Sequence, residues 1–331
     1  MQNSDAILII LSYPDTIVRP AYWEILSDFW PKIGVGGSHA VQAGHAALLL
    51  IKKNKSVINY YDFGRYITTY GNGRVRSKET DPELEISISA KFKNNTLINL
   101  KEILLWIERH PAKTHGDGRL VAGIHEEIDF HKAESFIHQL IDKKEIPYGA
   151  FTKNGTNCAR FVTDTIIASS QNKKIARQLK KSNILTPSPI GNVIKATTDN
   201  TIYTVYKQQL TNYKNRSLVK EYKSSFFNKF EGEPDLKGME NPDLAIFNLI
   251  HGTWLGGLGG GAWFAIEEIV NFETYRISRH TSKGNKDFEG LFLLRETNFN
   301  PLKEYRFIHP TSCIEVYIEQ NKNIFRLLKI K

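Results

Sequence analysis

Gly155-Thr156-Asn157-Cys158-Ala159-Arg160-Phe161-Val162 is the stretch whose reading decides the fold. A turn residue, Gly155, and two residues able to cap a helix, Thr156 and Asn157, stand directly before a cysteine. Beyond it Phe161, Val162, Ile166 and Ile167 recur at helical spacing, which predicts a helix from Cys158 to about Ser169. Cys158 then falls in the first turn, where unpaired N–H groups and the helix dipole favour an anion. That placement lowers a thiol's pKa and raises its thiolate fraction. The competing reading is a cysteine packed as a small buried hydrophobe. A second stretch is needed to separate the two.

Gly44-His45-Ala46-Ala47-Leu48-Leu49-Leu50-Ile51 supplies it. The apolar run predicts a strand ending near Lys52, with His45 at its start. Asn54-Lys55 is a hairpin turn signal, and Ser56 to Asp62 is the returning strand, with Val57, Ile58, Tyr60 and Tyr61 as its bulky members. Folding about that turn brings His45 and Asp62 near one another. Acyl chemistry by cysteine needs a thiolate, an imidazole to move the proton and a third polar group to orient the ring. Cys158, His45 and Asp62 are the candidates for those three parts. The backbone N–H of Cys158 is the expected donor to the oxyanion.

Elsewhere the chain offers rivals. His39 lies close to His45 but in a glycine loop, Gly34 to Gly44, that lacks the Gly-Lys-Ser/Thr ending of a phosphate cradle. His125 and His131 stand six apart and do not share a helical face, so the intervening acidic residues read as surface rather than as a metal site. His115-Gly116-Asp117-Gly118 reads as a polar loop or a substrate contact. Arg160 either raises the local positive potential or faces solvent. Cys313 reads as packing. With only these two cysteines there is no disulfide framework and no Cys-x-x-Cys pair. No metal or organic cofactor is expected.

The remaining segments give the organisation. Ala6 to Leu11 is a buried strand, too short to span a membrane and without the basic lead of a signal peptide, so a cytoplasmic location is expected. Arg19 to Trp30 reads as a short helix whose Trp23, Phe29 and Trp30 are core. Tyr66 to Glu85 is a long excursion, Glu85 to Phe92 a strand by its alternation, Leu97 to Arg109 an amphipathic helix, Leu120 to Ile128 a strand and Phe130 to Lys143 a helix. Residues 171–223 carry many Lys and Arg against few acids, which reads as a solvated basic helical connector or as a surface for an anionic partner. From residue 241 the composition turns aromatic and glycine-rich. Short runs at Trp263–Ile269, Tyr275–Ser278, Gly290–Arg295, Tyr305–His309, Ile314–Glu319 and Ile324–Ile330 predict an antiparallel sheet or small barrel. The length of 331 residues leaves room for such a division: 1–170, a connector 171–240, and 241–331. The net charge of +9 favours an anionic partner without identifying one.

Thr156 to Val162 resembles the nucleophile motif of NlpC-type cysteine peptidases, and Gly44 to Leu50 resembles their histidine strand. In those peptidases Cys precedes His. Here His45 precedes Cys158, the order of the circularly permuted branch that includes lecithin:retinol acyltransferase-like enzymes and permuted papain-like amidases. Asn157-Cys158 is similar to the acyltransferase-type motif, and Asp62 stands where permuted members carry a third polar residue. The resemblance covers about residues 5–170. It implies an α+β papain-like domain, an antiparallel sheet packed on a Cys-bearing helix, and a thioester intermediate. The expected activity is hydrolysis of a peptide-like amide or an ester, with acyl transfer next. The expected partner is a peptide-like or acyl-containing substrate. A non-catalytic binding module with a packed Cys and His is the alternative of a different class.

Overall fold

The computed structural model describes residues 4–24, 37, 39–199, 201–213, 220–221, 234–243, 245 and 251–331. Its first sheet is built around β1 (Ala6–Tyr13) and β2 (His45–Lys52), which pair antiparallel with Tyr13 opposite His45. β3 (Asn59–Gly64) and β4 (Asn72–Arg76) follow, then the small hairpin β5 (Phe92–Lys93) and β6 (Thr96–Leu97). β7 (Leu120–Ile128), β8 (Ile146–Pro147), β9 (Tyr203–Tyr206) and β10 (Gln209–Asn212) complete this part. The sheet order is β10-β9-β7-β1-β2-β3-β4-β8. All eight residues of β1 are buried. β2 is buried until its last residue. Both faces are covered, so these strands read as unbroken apolar runs rather than as alternation.

One face carries the helices α3 (Phe130–Asp142), α4 (Cys158–Ser169), α5 (Lys173–Ser182) and α6 (Pro189–Ala196). Phe161, Val162 and Ile166 of α4 meet Ala46 and Leu48 of β2 there. Each such buried side chain stabilises by roughly 1.5–3 kcal/mol relative to exposure. The other face is covered by α1 (Leu100–Glu108), whose Ile103, Leu104 and Ile107 pack with Leu49 and Tyr60. A short helix, α2 (Pro111–Thr114), follows it.

Two expectations meet a different structure. Glu85 to Ala90 forms no regular strand; Ile86 and Ile88 pack inward, but only Phe92–Lys93 finds a partner, its own hairpin mate. Alternation buries a face without supplying a neighbour for the backbone. The stretch read as a basic connector is, where described, built into the first unit. Leu179 of α5 and Ile190, Val193 and Ala196 of α6 join the core under α4, and β9 pairs with β7. The lysines of α5 had masked its single buried residue. Of the other basic residues there, Lys214, Arg216 and Lys223 lie outside the described residues, as do Phe29 and Trp30 of the helix expected at Arg19–Trp30.

The second unit is the expected β-rich one. β11 (Thr253–Leu255), β12 (Ala262–Ile269), β13 (Thr274–His280), β14 (Lys286–Leu294), β15 (Arg306–Ile308), β16 (Glu315–Gln320) and β17 (Asn323–Lys329) form an antiparallel sheet of order β11-β12-β13-β14-β17-β16-β15. Its edge strands meet, with the Phe307 N–H donating to Thr253 Oγ1 at 3.1 Å, so the sheet curls around Phe264, Phe292, Phe307 and Cys313. Among the described residues no helix is long and apolar enough to cross a membrane.

Candidate active site

The turn before α4 is held tightly. Thr156 N–H donates to Pro147 carbonyl at 2.9 Å, and Gly149 N–H to Thr156 carbonyl at 3.0 Å. A Cβ at Gly155 would lie 2.7 Å from the Pro147 carbonyl, so only glycine fits. Asn157 is the N-cap, its side-chain oxygen accepting from Arg160 N–H at 2.8 Å. Cys158 is therefore the first residue of the helix.

His45 is placed by the neighbouring glycine. Gly44 has φ +73°, and a Cβ there would lie 3.0 Å from Tyr13 carbonyl, so the chain turns sharply into β2. Along β2, residues of His45 parity face the α1 side and those of Ala46 parity face the α4 side. Cys158 and His45 thus belong to opposite faces of the sheet. They meet because each is the first residue of its element, at one end of the sheet.

The geometry is compact. His45 Nε2 lies 3.2 Å from Asp62 Oδ2, and both side chains are buried. That leaves Nδ1 as the ring nitrogen free to serve Cys158, which lines the same chamber and is electrostatically coupled to the ring. Asp62 is gripped from its other side by Arg76, Nε to Oδ1 at 2.9 Å and Nη2 to Oδ2 at 2.5 Å, and by the Tyr60 hydroxyl at 2.8 Å. The β3–β4 register sets Arg76 directly opposite Asp62, and Tyr60 shares its strand face two residues back.

The electrostatics follow from those contacts. Burial pushes the Asp62 carboxyl up, but Arg76 and His45 outweigh it and hold it well below the usual carboxylate range. Burial likewise disfavours a charged His45, yet Asp62 and Cys158 raise it to about 9. Burial pushes the Cys158 thiol up, and His45 foremost, then the Ala46 N–H and the Tyr148 hydroxyl, bring it below its ordinary value. Both shifts act in the same direction, toward a thiolate beside an imidazolium.

Two cavities open from the sulfur. A polar chamber of about 480 Å³ is lined by His45, Cys158, Tyr66, His115, Tyr148 and Arg19, among others. An apolar groove of about 680 Å³ is lined by Val41, Ala150, Phe151, Leu185 and Pro187, among others, and shares Val18, Arg19, Gly44, Arg65, Tyr148 and Cys158 with the chamber.

All three sequence candidates, Cys158, His45 and Asp62, come together. His39 does not join them; it pairs with Asp235 at 3.2 Å on the surface. His125 is buried and bonded to Ala196 carbonyl and Ser170 Oγ. Arg160 ties its helix to two loops through the carbonyls of Ala150 and Leu185. His115 moves from loop to wall: its ring packs 4.5 Å from that of Tyr66, at a left-handed backbone with φ +50°. Tyr60 was legible only as a bulky member of the Asp62 strand, and Arg76 and Tyr148 had no signal in the sequence, because strand register and a loop crossing bring them in.

A helix whose first residue is cysteine, packed on an antiparallel sheet that presents histidine, is the arrangement of papain-like cysteine hydrolases related to NlpC/P60 proteins. Residues 8–175 match the family of type VI secretion system effector TseH-like proteins, and the chain belongs to that family. Residues 252–330 match the family described as the DUF6695 C-terminal domain. The crystal structure of the type VI secretion system effector TseH is similar over 63% of this chain and 98% of that one, at 19% identity and a TM-score of 0.43. No curated protein matches.

Proposed function

We propose that the protein is a thiol hydrolase of permuted papain-like order that cleaves a peptide-like amide or an ester through a thioester on Cys158. His45 moves the proton and Asp62 orients and charges the ring. The observation that carries this reading is the buried chain Arg76–Asp62–His45–Cys158, ending at a sulfur that lines a chamber. The thiolate attacks the carbonyl carbon, and the N–H of Cys158 at the start of its helix faces the oxyanion. As the tetrahedral adduct collapses, the bond to the leaving nitrogen or oxygen breaks and imidazolium gives that atom its proton. Water then adds to the thioester carbon as His45 takes its proton, and collapse of that adduct breaks the carbon–sulfur bond, returns the thiolate and releases the acid.

Arg76 and Tyr60 are positioning residues in this scheme, since they act on Asp62. The apolar groove favours a second outcome at the same thioester, transfer of an acyl group to an acceptor other than water. The first unit is proposed to run through about residue 213 and the second from about 251. The exposed basic face of α5 is a proposed contact for an anionic partner. A cytoplasmic location stands as one proposal. The family's name, that of secretion-system effectors, supports delivery outside the producing cell as the other, and fractionation of culture separates them.

The test is alkylation of the full chain by iodoacetamide across pH. Cys158 is expected to label well below neutral pH, and His45→Ala to slow it. If Cys158 labels no faster than free cysteine, the hydrolase reading fails and the packed binding module stands.

A further inference from the structure

The β-rich unit reaches into the cleft. Its loop from Gly257 to Gly261 lies along Arg65–Ile67 of the first unit, with Gly259 N–H donating to Arg65 carbonyl at 2.8 Å and Ile67 N–H to Gly260 carbonyl at 3.1 Å. A Cβ at Gly257 would lie 2.4 Å from Arg65 carbonyl, and one at Gly259 would lie 2.9 Å from the Tyr66 ring. The glycines are what permit this approach. The same ring carries the Arg76 guanidinium, 3.7 Å from its centroid. The two units are also joined by ion pairs: Arg279 of β13, itself held by Asp287 at 3.0 Å, is buried against Asp81 at 3.1 Å, while Arg74 holds Asp81 at 2.6 Å. Leu258 and Gly259 line the polar chamber, together with Glu240, which binds Arg19 at 2.8 Å.

The direction of the substrate follows from the chemistry. The leaving atom must take a proton from His45, so it departs on the His45 side. His45 lines the polar chamber and not the apolar groove, whereas Cys158 lines both. The leaving group therefore occupies the chamber, and the acyl group extends along the groove. Resting on the thioester reading above, we propose that the Gly257–Gly261 loop is the leaving-group wall of the cleft. Leu258 and Gly259 are its specificity-determining positions for a polar leaving group, and the second unit is a part of the active site.

Two esters with a common acetyl group test this on the full chain: 4-nitrophenyl acetate and the bulkier 7-acetoxy-4-methylcoumarin. Gly259→Val is expected to cut kcat/KM for the coumarin ester roughly tenfold more than for the nitrophenyl ester. Leu258→Ala, which removes bulk, is expected to favour the coumarin ester instead. Deacylation of the acetyl-enzyme, from which the leaving group has gone, stays within about twofold of wild type in both variants. Equal loss on both esters, or slowed deacylation without a change in discrimination, overturns the assignment and leaves the loop as scaffold. Should Gly259→Val not fold, unchanged discrimination in Leu258→Ala overturns it alone. Absence of any acetyl group on Cys158 of the wild type, read by mass spectrometry, is a different result: it removes the thioester reading and the inference with it.

Discussion

Cys158 and Cys313 differ little in exposure, 7% and 0%, and widely in surroundings. Cys158 opens a helix, meets an imidazole and an N–H, and has its pKa lowered despite burial. Cys313 sits in the barrel core with Phe307, Val316 and Leu327, and burial drives its thiol far up, with Arg279 only partly opposing. Solvent exposure does not separate the thiol whose pKa is lowered from the one whose pKa is raised. What separates them is whether the groups around the sulfur stabilise its anion.

Removing each sulfur should break the symmetry hardest. Cys158→Ala is expected to reduce turnover of 4-nitrophenyl acetate by at least about a thousandfold, since no covalent intermediate can form. Cys313→Ala should leave the rate within about twofold. Comparable losses in both would erase the distinction between the two sulfurs, and a loss confined to Cys313→Ala would move the chemistry to the barrel.

Alkylation of the native chain at pH 6.5 should consume one equivalent of iodoacetamide, at Cys158, at least about a hundredfold faster than the second. Cys313 should react only when urea opens the barrel. A native stoichiometry of two would show the barrel interior to be accessible on the same timescale.

Asp62→Asn sharpens the account of Cys158. Without the carboxylate, the His45 pKa should fall from about 9. Thiol labelling at neutral pH should then slow by roughly tenfold to a hundredfold, the equivalent of one to two pKa units. Arg76 is left buried beside a neutral amide, at a stability cost of about 3–5 kcal/mol. The wild type also carries a pH signature. His45 has its folded pKa raised, so its contribution is complete below the unfolded imidazole pKa and is lost as pH rises through about 9. Asp62 has its folded pKa depressed, so its contribution is present above the ordinary carboxylate pKa and is lost on acidification. The stability deficit of His45→Gln, measured by urea unfolding, should accordingly be larger at pH 6 than at pH 10. A deficit that does not change with pH would mean that the ring is uncharged in the fold.

These contrasts also mark what could be read beforehand. Cys158, His45 and Asp62 stand at the ends of elements whose boundaries are local matters of caps, turns and apolar runs. Their convergence needed only one hairpin and one helix start. The barrel strands were legible from turn spacing, but not the jump that pairs β14 with β17 and leaves β15 at an edge. Arg76 was hidden because Gly73-Arg74-Val75-Arg76 is too short and too charged to announce a strand. Gly259 was hidden because its neighbour, Tyr66, lies in the other unit. Each depends on pairing between distant segments, which local pattern does not encode.

The smallest expected effect concerns Cys313 and the seam between the units. Its N–H donates to Thr80 carbonyl at 3.2 Å, and its side chain lies near Arg279, which binds Asp81. Cys313→Ala keeps the backbone bond and removes one packed atom, so a loss of about 1–2 kcal/mol is expected by urea unfolding. Cys313→Ser keeps the volume more nearly but buries a hydroxyl beneath hydrocarbon, and should cost as much or more unless Asp81 or Asp287 accepts from it. Serine more stable than alanine would place this sulfur in a polar seam rather than in the barrel's apolar core. The two cysteines would then differ by partner alone, not by polarity as well.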